Sequence, residues 1–192
     1  MELWDVFEKR RTIRRFLAPP REEQLKRLIK AGSLAPSAGN RQAWFVVIIN
    51  DPATREKLGA IKHTQNSAFT PDSEKGRALL RAQKEVFRNS TSLIVYTFAR
   101  EEKDPHRYDL GSAWLFAENF CLAALPEGLG TQMFAYWDDF EKEVNHILGV
   151  PDRYRQVIGI NVGVPHPDYE PPQKAYKAES QWIFRETWKG AD

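Results

Sequence analysis

Ala35-Pro36-Ser37-Ala38-Gly39-Asn40-Arg41-Gln42-Ala43-Trp44 leads without a break into an apolar run that ends at Asn50. The run from Ala43 to Asn50 is short, rich in β-branched and aromatic residues and bounded by turn formers. That pattern predicts a buried strand. The loop before it gathers Ser, Gly, Asn and Gln, whose backbone and side-chain amides offer donors and acceptors together. A planar heterocycle with alternating carbonyls and ring nitrogens needs edge recognition of this kind. Taken alone, an ordinary helix-to-strand turn is the simpler account of the same residues.

On the N-terminal side, Arg21 to Ala35 predicts a helix, with Leu25, Leu28 and Ile29 at helical spacing and Pro36 as its stop. Residues 2–11 predict a short amphipathic helix with Leu3, Val6 and Phe7 on one face. Downstream, Asp51-Pro52 opens a helix to about Ala60, and the polar, Pro-bearing residues 62–74 predict a loop. A helix follows over Lys75 to Arg88, then a second strand over Ser92 to Ala99. Tyr108 to about Leu125 is a long helix, apolar on most faces, which predicts burial. Residues 131–137 are extended or irregular. Phe140 to Leu148 is helical, stopped by Gly149 and Pro151, and Val157 to Val164 is a third strand. The tail, about 166–192, is first Pro-rich and then aromatic, with Tyr176, Trp182, Phe184 and Trp188. Helices outnumber a few short apolar strands, so the class is α+β, a sheet sandwiched between helices.

The 192 residues suit a single domain over 1–192. An apolar content of 42% with a net charge of +2 excludes a disordered chain. Cys121 is the one cysteine, so no intrachain disulfide exists, and an unpaired thiol fits a reducing cytoplasm. It falls in the apolar central helix, where core packing is expected. The longest apolar run, Ala43 to Ile49, is far short of a membrane span, and MELWDVFEKRR carries no apolar export signal. The charge is uneven: residues 1–41 hold ten Lys/Arg against five Asp/Glu, which leaves the remaining 151 residues at a net −3. Local positive charge of this kind points to an anion such as a phosphate, not to a globally basic nucleic-acid binder. Its focus is Arg10-Arg11-Thr12-Ile13-Arg14-Arg15-Phe16. Arg forks bind phosphate oxygens in pairs and Thr adds a neutral donor, although a basic run alone also describes a solvated or nucleic-acid-binding stretch.

RRTIRRF followed about twenty residues later by APSAGNRQAW resembles the nitroreductase family of FMN-dependent oxidoreductases. Tyr108-Asp109 to Ala124 followed by Gly128-Leu129-Gly130-Thr131 resembles the family's long central helix and GLGT turn. Phe140 to Pro151 followed by Val157 to Pro165 resembles its late helix and closing strand, and Pro172-Gln173-Lys174 its basic C-terminal element. The resemblance implies a small mixed sheet sandwiched by helices, with the long central helix at a homodimer interface and the tail wrapping the partner subunit. It implies FMN, with Arg10, Arg11, Thr12 and Lys174 at the phosphate and Arg14 near the flavin N1/C2 edge. Pro36, Ser37, Ala38 and Asn40 match the loop laid against the flavin by the partner, and Gln83 a polar residue reading the pyrimidine ring. The stretch containing Thr131, Phe134 and Ala135 is the one whose backbone approaches flavin N5. Departures from the family pattern are Thr12 for a common Ser, Ala43 for a frequent Pro, Ala38 for a frequent Ser, and Pro126-Glu127 at the end of the central helix.

The implied activity is transfer of two electrons from NADH or NADPH through flavin N5 to nitroaromatic, quinone or related acceptors, in ping-pong fashion. No catalytic side chain is implied, because the cofactor carries the chemistry. Two alternatives stand beside it. One is a flavoenzyme of the same fold with another reaction (a dehydrogenase, dehalogenase or flavin-modifying enzyme). The other is a non-enzymatic module that uses the basic run to hold nucleic acid or an acidic partner. No GxGxxG, phosphate-cradling loop or HExxH occurs, and the four histidines are scattered, so neither metal, nucleic acid nor membrane is expected as a partner. Phe134, Tyr136 and Trp137 divide evenly between a substrate pocket and an interface, and Phe69 in the 62–74 loop is a candidate lid residue.

Overall fold

The computed structural model describes residues 1–99 and 105–188; the last residues of the expected tail, 189–192, lie outside them. The elements are α1 (Leu3–Lys9), β1 (Phe16–Ala18), α2 (Glu22–Ser33), β2 (Phe45–Ile49), α3 (Pro52–Ser67), α4 (Glu74–Arg88), β3 (Thr91–Phe98), α5 (Arg107–Ala124), β4 (Gly130–Phe134), α6 (Asp138–Leu148) and β5 (Tyr154–Pro165). Helix ends are set locally. Gln24 Oε1 accepts from the Arg21 N–H at 3.1 Å, Asp51 Oδ2 from Thr54 N at 2.8 Å with Pro52 at the first turn, and Ser73 Oγ from Gly76 N at 3.0 Å. Each satisfies an amide that the helix itself leaves unpaired. Gly149 ends α6 at φ 65°, the left-handed turn that glycine allows.

β5 is the spine of the sheet. It pairs β3 along one edge, β4 along the other, and β1 at its C-terminal end, while β2 closes the β3 side as an edge strand. Every ladder is antiparallel, and Thr12 and Thr131 form an isolated parallel bridge. Strand alternation divides the interior. Leu93, Val95, Ile160 and Val162 face α2 and α5, where they pack with Leu25, Leu28, Phe116 and Phe120. Ile94, Tyr96 and Phe134 face the other way and pack with Leu58, Ile61, Phe87 and Val144 from α3, α4 and α6. The expected sandwich is present. Among the described residues no helix is long and apolar enough to cross a membrane.

Three expectations are corrected and one is sharpened. Residues 62–67 are helical: α3 runs on to Ser67, and the loop shrinks to 68–73. The reason is tertiary, because Lys62 and Gln65 are buried against the end of β4. Of the two alternatives for 131–137, extended or irregular, residues 130–134 take the extended one as a full strand, because β5 offers them a ladder. β2 is not wholly buried; as an edge strand it leaves Phe45 and Ile48 exposed. Likewise α5 is buried on one side only, and Trp114 and Leu115 stand out at 42% and 47% exposure.

Candidate functional site

Residues 10–14 are laid along β4. Ile13 N–H donates to the Thr131 carbonyl at 2.9 Å, and Ile13 packs over Gly130, where any Cβ would overlap its side chain. This extended run sets Arg14 in a cavity of ≈ 170 Å³. Asn66 and Thr70 line it from the end of α3 and just beyond, Leu79, Leu80, Gln83 and Val86 from α4, and Gln132 from β4. Asn66 Nδ2 donates to Gln83 Oε1 at 3.0 Å. One wall is therefore aliphatic, and the other carries a guanidinium and primary amides. Such a lining suits a planar ring whose edge is rich in acceptors. Arg14, Leu79 and Ala82 also border an adjoining cleft of ≈ 500 Å³ that holds Arg15, Lys75, Tyr169 and Pro172.

Arg10 and Arg11 line a separate, smaller cavity of ≈ 90 Å³ with Lys9, Cys121, Thr131 and Pro171. Thr12 lies between the two, paired through its backbone to Thr131. The Thr131 side chain is buried against Cys121. Burial pushes the Cys121 thiol up to about 11, so it stays protonated and unreactive; it is a core residue.

The end of β4 is clamped by α3. Lys62 Nζ donates to the Ala135 carbonyl at 2.5 Å and Gln65 Nε2 to the same oxygen at 3.1 Å. The Lys62 ammonium sits 4.5 Å from the Trp137 ring centroid, a cation–π distance. Lys62 is only 5% exposed, and burial draws it down to about 8. The Phe134 ring is enclosed between Phe87 and Tyr136, so only its main chain can face a ligand. Phe134 and Tyr136 thus belong to the core, neither pocket nor interface, while Trp137 is exposed and stacks at 5.9 Å on Phe69. Phe69 is 73% exposed, next to the cavity-lining Thr70.

Pro36, Ser37, Ala38 and Asn40 line neither cavity. Their loop is held by Ser37 Oγ, which accepts from Gln42 N at 3.1 Å, and by Asn40 Oδ1, which accepts from Gln42 Nε2 at 3.1 Å. Gly39, Asn40 and Gln42 all take positive φ, at 59°, 52° and 48°, a conformation rare outside glycine. Arg41 anchors the loop to α5 through Asp109, at 2.6 Å. Lys174 is exposed and lies 5.1 Å from the Tyr176 ring, with no hydrogen bond or ion pair to the N-terminal arginines among the described residues. Among those residues no group of three or more His, Cys, Asp or Glu is placed to hold a metal ion.

A single chain therefore unites Arg14 with Gln83, and Arg10 and Arg11 with Thr131. The 36–40 loop lines neither of these cavities, whereas Pro171 and Pro172, close to Lys174 in sequence, border the Arg10–Arg11 cavity and the Arg14 cleft. Sequence reading missed Lys62, Gln65, Asn66, Thr70 and Gln132. The signal was present for three of them: once 62–67 is helical, Lys62, Gln65 and Asn66 fall at i, i+3 and i+4 on one face.

A sequence model described as the Nitroreductase family matches residues 7–164. A protein of Archaeoglobus fulgidus, provisionally named NADH dehydrogenase/NAD(P)H nitroreductase, is 25% identical over 173 residues, 87% of each chain. An iodotyrosine deiodinase of Thermotoga neapolitana is 27% identical over 173 residues, covering 85% of this chain and 88% of its own. Among solved structures, an oxidised iodotyrosine deiodinase bound to FMN and 3-iodo-L-tyrosine superposes with a TM-score of 0.78. It is 24% identical and covers 97% of this chain and 100% of its own.

Proposed function

The chain belongs to the nitroreductase family, and on that premise we propose that it is an FMN-dependent oxidoreductase. It takes two electrons from NADH or NADPH and passes them to nitroaromatic, quinone or related acceptors. The observation that carries this reading is the cavity that joins Arg14, Gln83 and an aliphatic wall, because its donor-bearing edge and apolar face match the two characters of an isoalloxazine ring. Bound flavin would supply the redox chemistry. The chain supplies the rest. Arg14 holds positive charge where the reduced ring gathers negative charge, which favours the reduced state. Gln83 reads the pyrimidine ring. Arg10, Arg11, Thr12 and Lys174 neutralise the phosphate. The main chain from Thr131 through Phe134 to Ala135 runs past N5, and Lys62 and Gln65 fix where that run ends.

The functional unit in this reading is a homodimer. Pro36, Ser37, Ala38 and Asn40 lie away from the cavity of their own chain and would close the cavity of the partner. The exposed Trp114 and Leu115 on α5, and the exposed Trp182 and Trp188 in the tail, are the apolar surface a second subunit would cover. The lone buried thiol of Cys121 fits a reducing cytoplasm.

The test is the visible spectrum of the purified protein, then anaerobic NADH or NADPH. Flavin bands that bleach with either donor are expected. The double variant Arg10→Ala with Arg14→Ala is expected to lose flavin, and full retention would remove those two residues from the assignment. A colourless protein that takes up no added FMN would overturn the whole reading. The deiodinase relative favours a second reading, reductive dehalogenation on the same scaffold. Iodide release from 3-iodotyrosine by the dithionite-reduced protein, without turnover of nitroaromatics, would select it.

A further inference from the structure

Three polar residues outside the roles assigned above stand in one row across the central strands. Ser92 of β3 and Gln132 of β4 both pair in register with Asn161 of β5. Alternation sends Leu93 and Val95 to the α2–α5 side, so this row faces α3 and α4, the side of the Arg14 cavity. Ser92 and Asn161 are fully buried at 0% exposure. Apolar residues would fill the same row without the cost of burying polar groups.

The hydrogen bonds give the row a direction. Ser92 Oγ donates to Asn161 Oδ1 at 2.6 Å. Asn161 then turns Nδ2 the other way and donates it to Gln132 Oε1 at 3.2 Å. A primary amide carries its acceptor on one arm and its two donors on the other. With the Gln132 oxygen held back toward Asn161, its NH2 is the group left for the cavity that Gln132 lines. That NH2 has no protein partner among the described residues. Gln83 is set in the same sense from across the cavity, because Asn66 occupies its oxygen. Arg14 has donors only.

We propose that Gln132 is a flavin-binding residue whose NH2 donates to an acceptor on the pyrimidine ring. Ser92 and Asn161 are positioning residues that fix the sense of that amide through the sheet. The inference rests on the FMN reading. It names the edge that the cavity takes, the one carrying the ring carbonyls and N1.

The experiment uses flavin-stripped protein titrated with FMN by fluorescence quenching, and the midpoint potential of the reloaded protein. Gln132→Glu keeps the shape and still accepts from Asn161, but turns an anionic oxygen to the cavity. FMN affinity is expected to fall about tenfold or more, and the potential to drop because the reduced ring is the more negative form. Asn161→Asp leaves Gln132 intact but offers it only acceptors, so the Gln132 amide must turn over. The same two losses are expected, smaller, and both should vanish when Asn161→Asp is made in a Gln132→Leu background. A merely structural Asn161 would lower the melting temperature alike in both backgrounds and leave the potential unmoved. If Asn161→Asp does not fold, Gln132→Glu and Ser92→Ala decide. Wild-type binding with unaltered affinity and potential in Gln132→Glu overturns this inference and leaves the FMN reading standing. A wild-type chain that takes up no FMN overturns both.

Discussion

The sheet is covered by two helical pairs, α2–α5 on one face and α3–α4 on the other, built on the same device and turned to different ends. In each pair a glycine meets a phenylalanine of its partner. A Cβ on Gly32 of α2 would lie 2.7 Å from the Phe116 ring of α5, and one on Gly59 of α3 would lie 3.0 Å from Phe87 Cβ of α4. The interiors then diverge. α2–α5 encloses apolar residues almost throughout. α3–α4 buries two cations that have no carboxylate partner among the described residues: Arg55, held by the carbonyls of Arg88 and Ser90, and Lys62, held by that of Ala135. The outer surfaces diverge in the opposite sense. α5 shows Trp114 and Leu115 to the outside, whereas α4 shows Arg81, Lys84, Glu85 and Arg88. An apolar core with an apolar exterior is the layer that the proposed homodimer would bury between its subunits. A layer that buries two cations under a charged exterior is a cover over a cavity with one polar wall, facing water.

The strongest way to break that comparison is to charge the outside of α5. Trp114→Glu with Leu115→Glu touches residues that are 42% and 47% exposed in the single chain, so the monomer fold is expected to survive. The proposed dimer is not, because two carboxylates in an apolar interface would have no compensation. Light scattering should show a monomer and absorbance should show lost flavin. A flavin-loaded dimer would mean that this face meets water after all.

Next in size is the buried lysine. Lys62 is drawn from its ordinary value of 10.5 down to about 8, so between those values the unfolded chain holds a proton that the folded chain has released. Stability from this group therefore rises with pH across that window. A shift of this size corresponds to about 3 kcal/mol at most. Urea unfolding of wild type and Lys62→Met at pH 7.5 and 10 isolates it. The wild type should gain on the variant as pH rises. A difference that stays flat would show that Lys62 titrates as it does in water and that the clamp on Ala135 is loose.

The α2–α5 layer was legible in the sequence, and the α3–α4 layer only in part. Leu25, Leu28 and Ile29 announce α2, and the apolar run of α5 announces itself, because burial in an apolar core writes its period directly into residue type. Lys62 and Gln65 are polar and buried and Asn66 is polar and half-buried, so their helix read as loop. β4 was left open between extended and irregular for a related reason: Gly130 to Phe134 becomes a strand because β5 lies beside it. The site divides the same way. RRTIRR and APSAGN are contiguous motifs and stand out. Gln132 and Asn161 are twenty-nine positions apart, and only strand register brings them together. The 36–40 loop lines neither cavity of its own chain, and in the proposed homodimer it would close the cavity of the partner.

The two glycines give the finest discrimination. Gly32→Ala places a methyl group into the Phe116 ring, and Phe116 is itself 1% exposed with no room to move. Overpacking of this kind costs about 1–3 kcal/mol, more than the roughly 1 kcal/mol that alanine returns in helix propensity. At Gly59 the nearest atom is 0.3 Å farther off, between 2.7 Å and 3.0 Å, although Phe87 is likewise 1% exposed and packs on Phe134. Relief of a few tenths of an ångström suffices at that distance, so propensity offsets most of the strain. Gly59→Ala is therefore expected within about 0.5 kcal/mol of wild type, against a clear loss for Gly32→Ala, both by urea unfolding. If Gly59→Ala proves as costly as Gly32→Ala, the α3–α4 cover is as rigid as the α2–α5 layer.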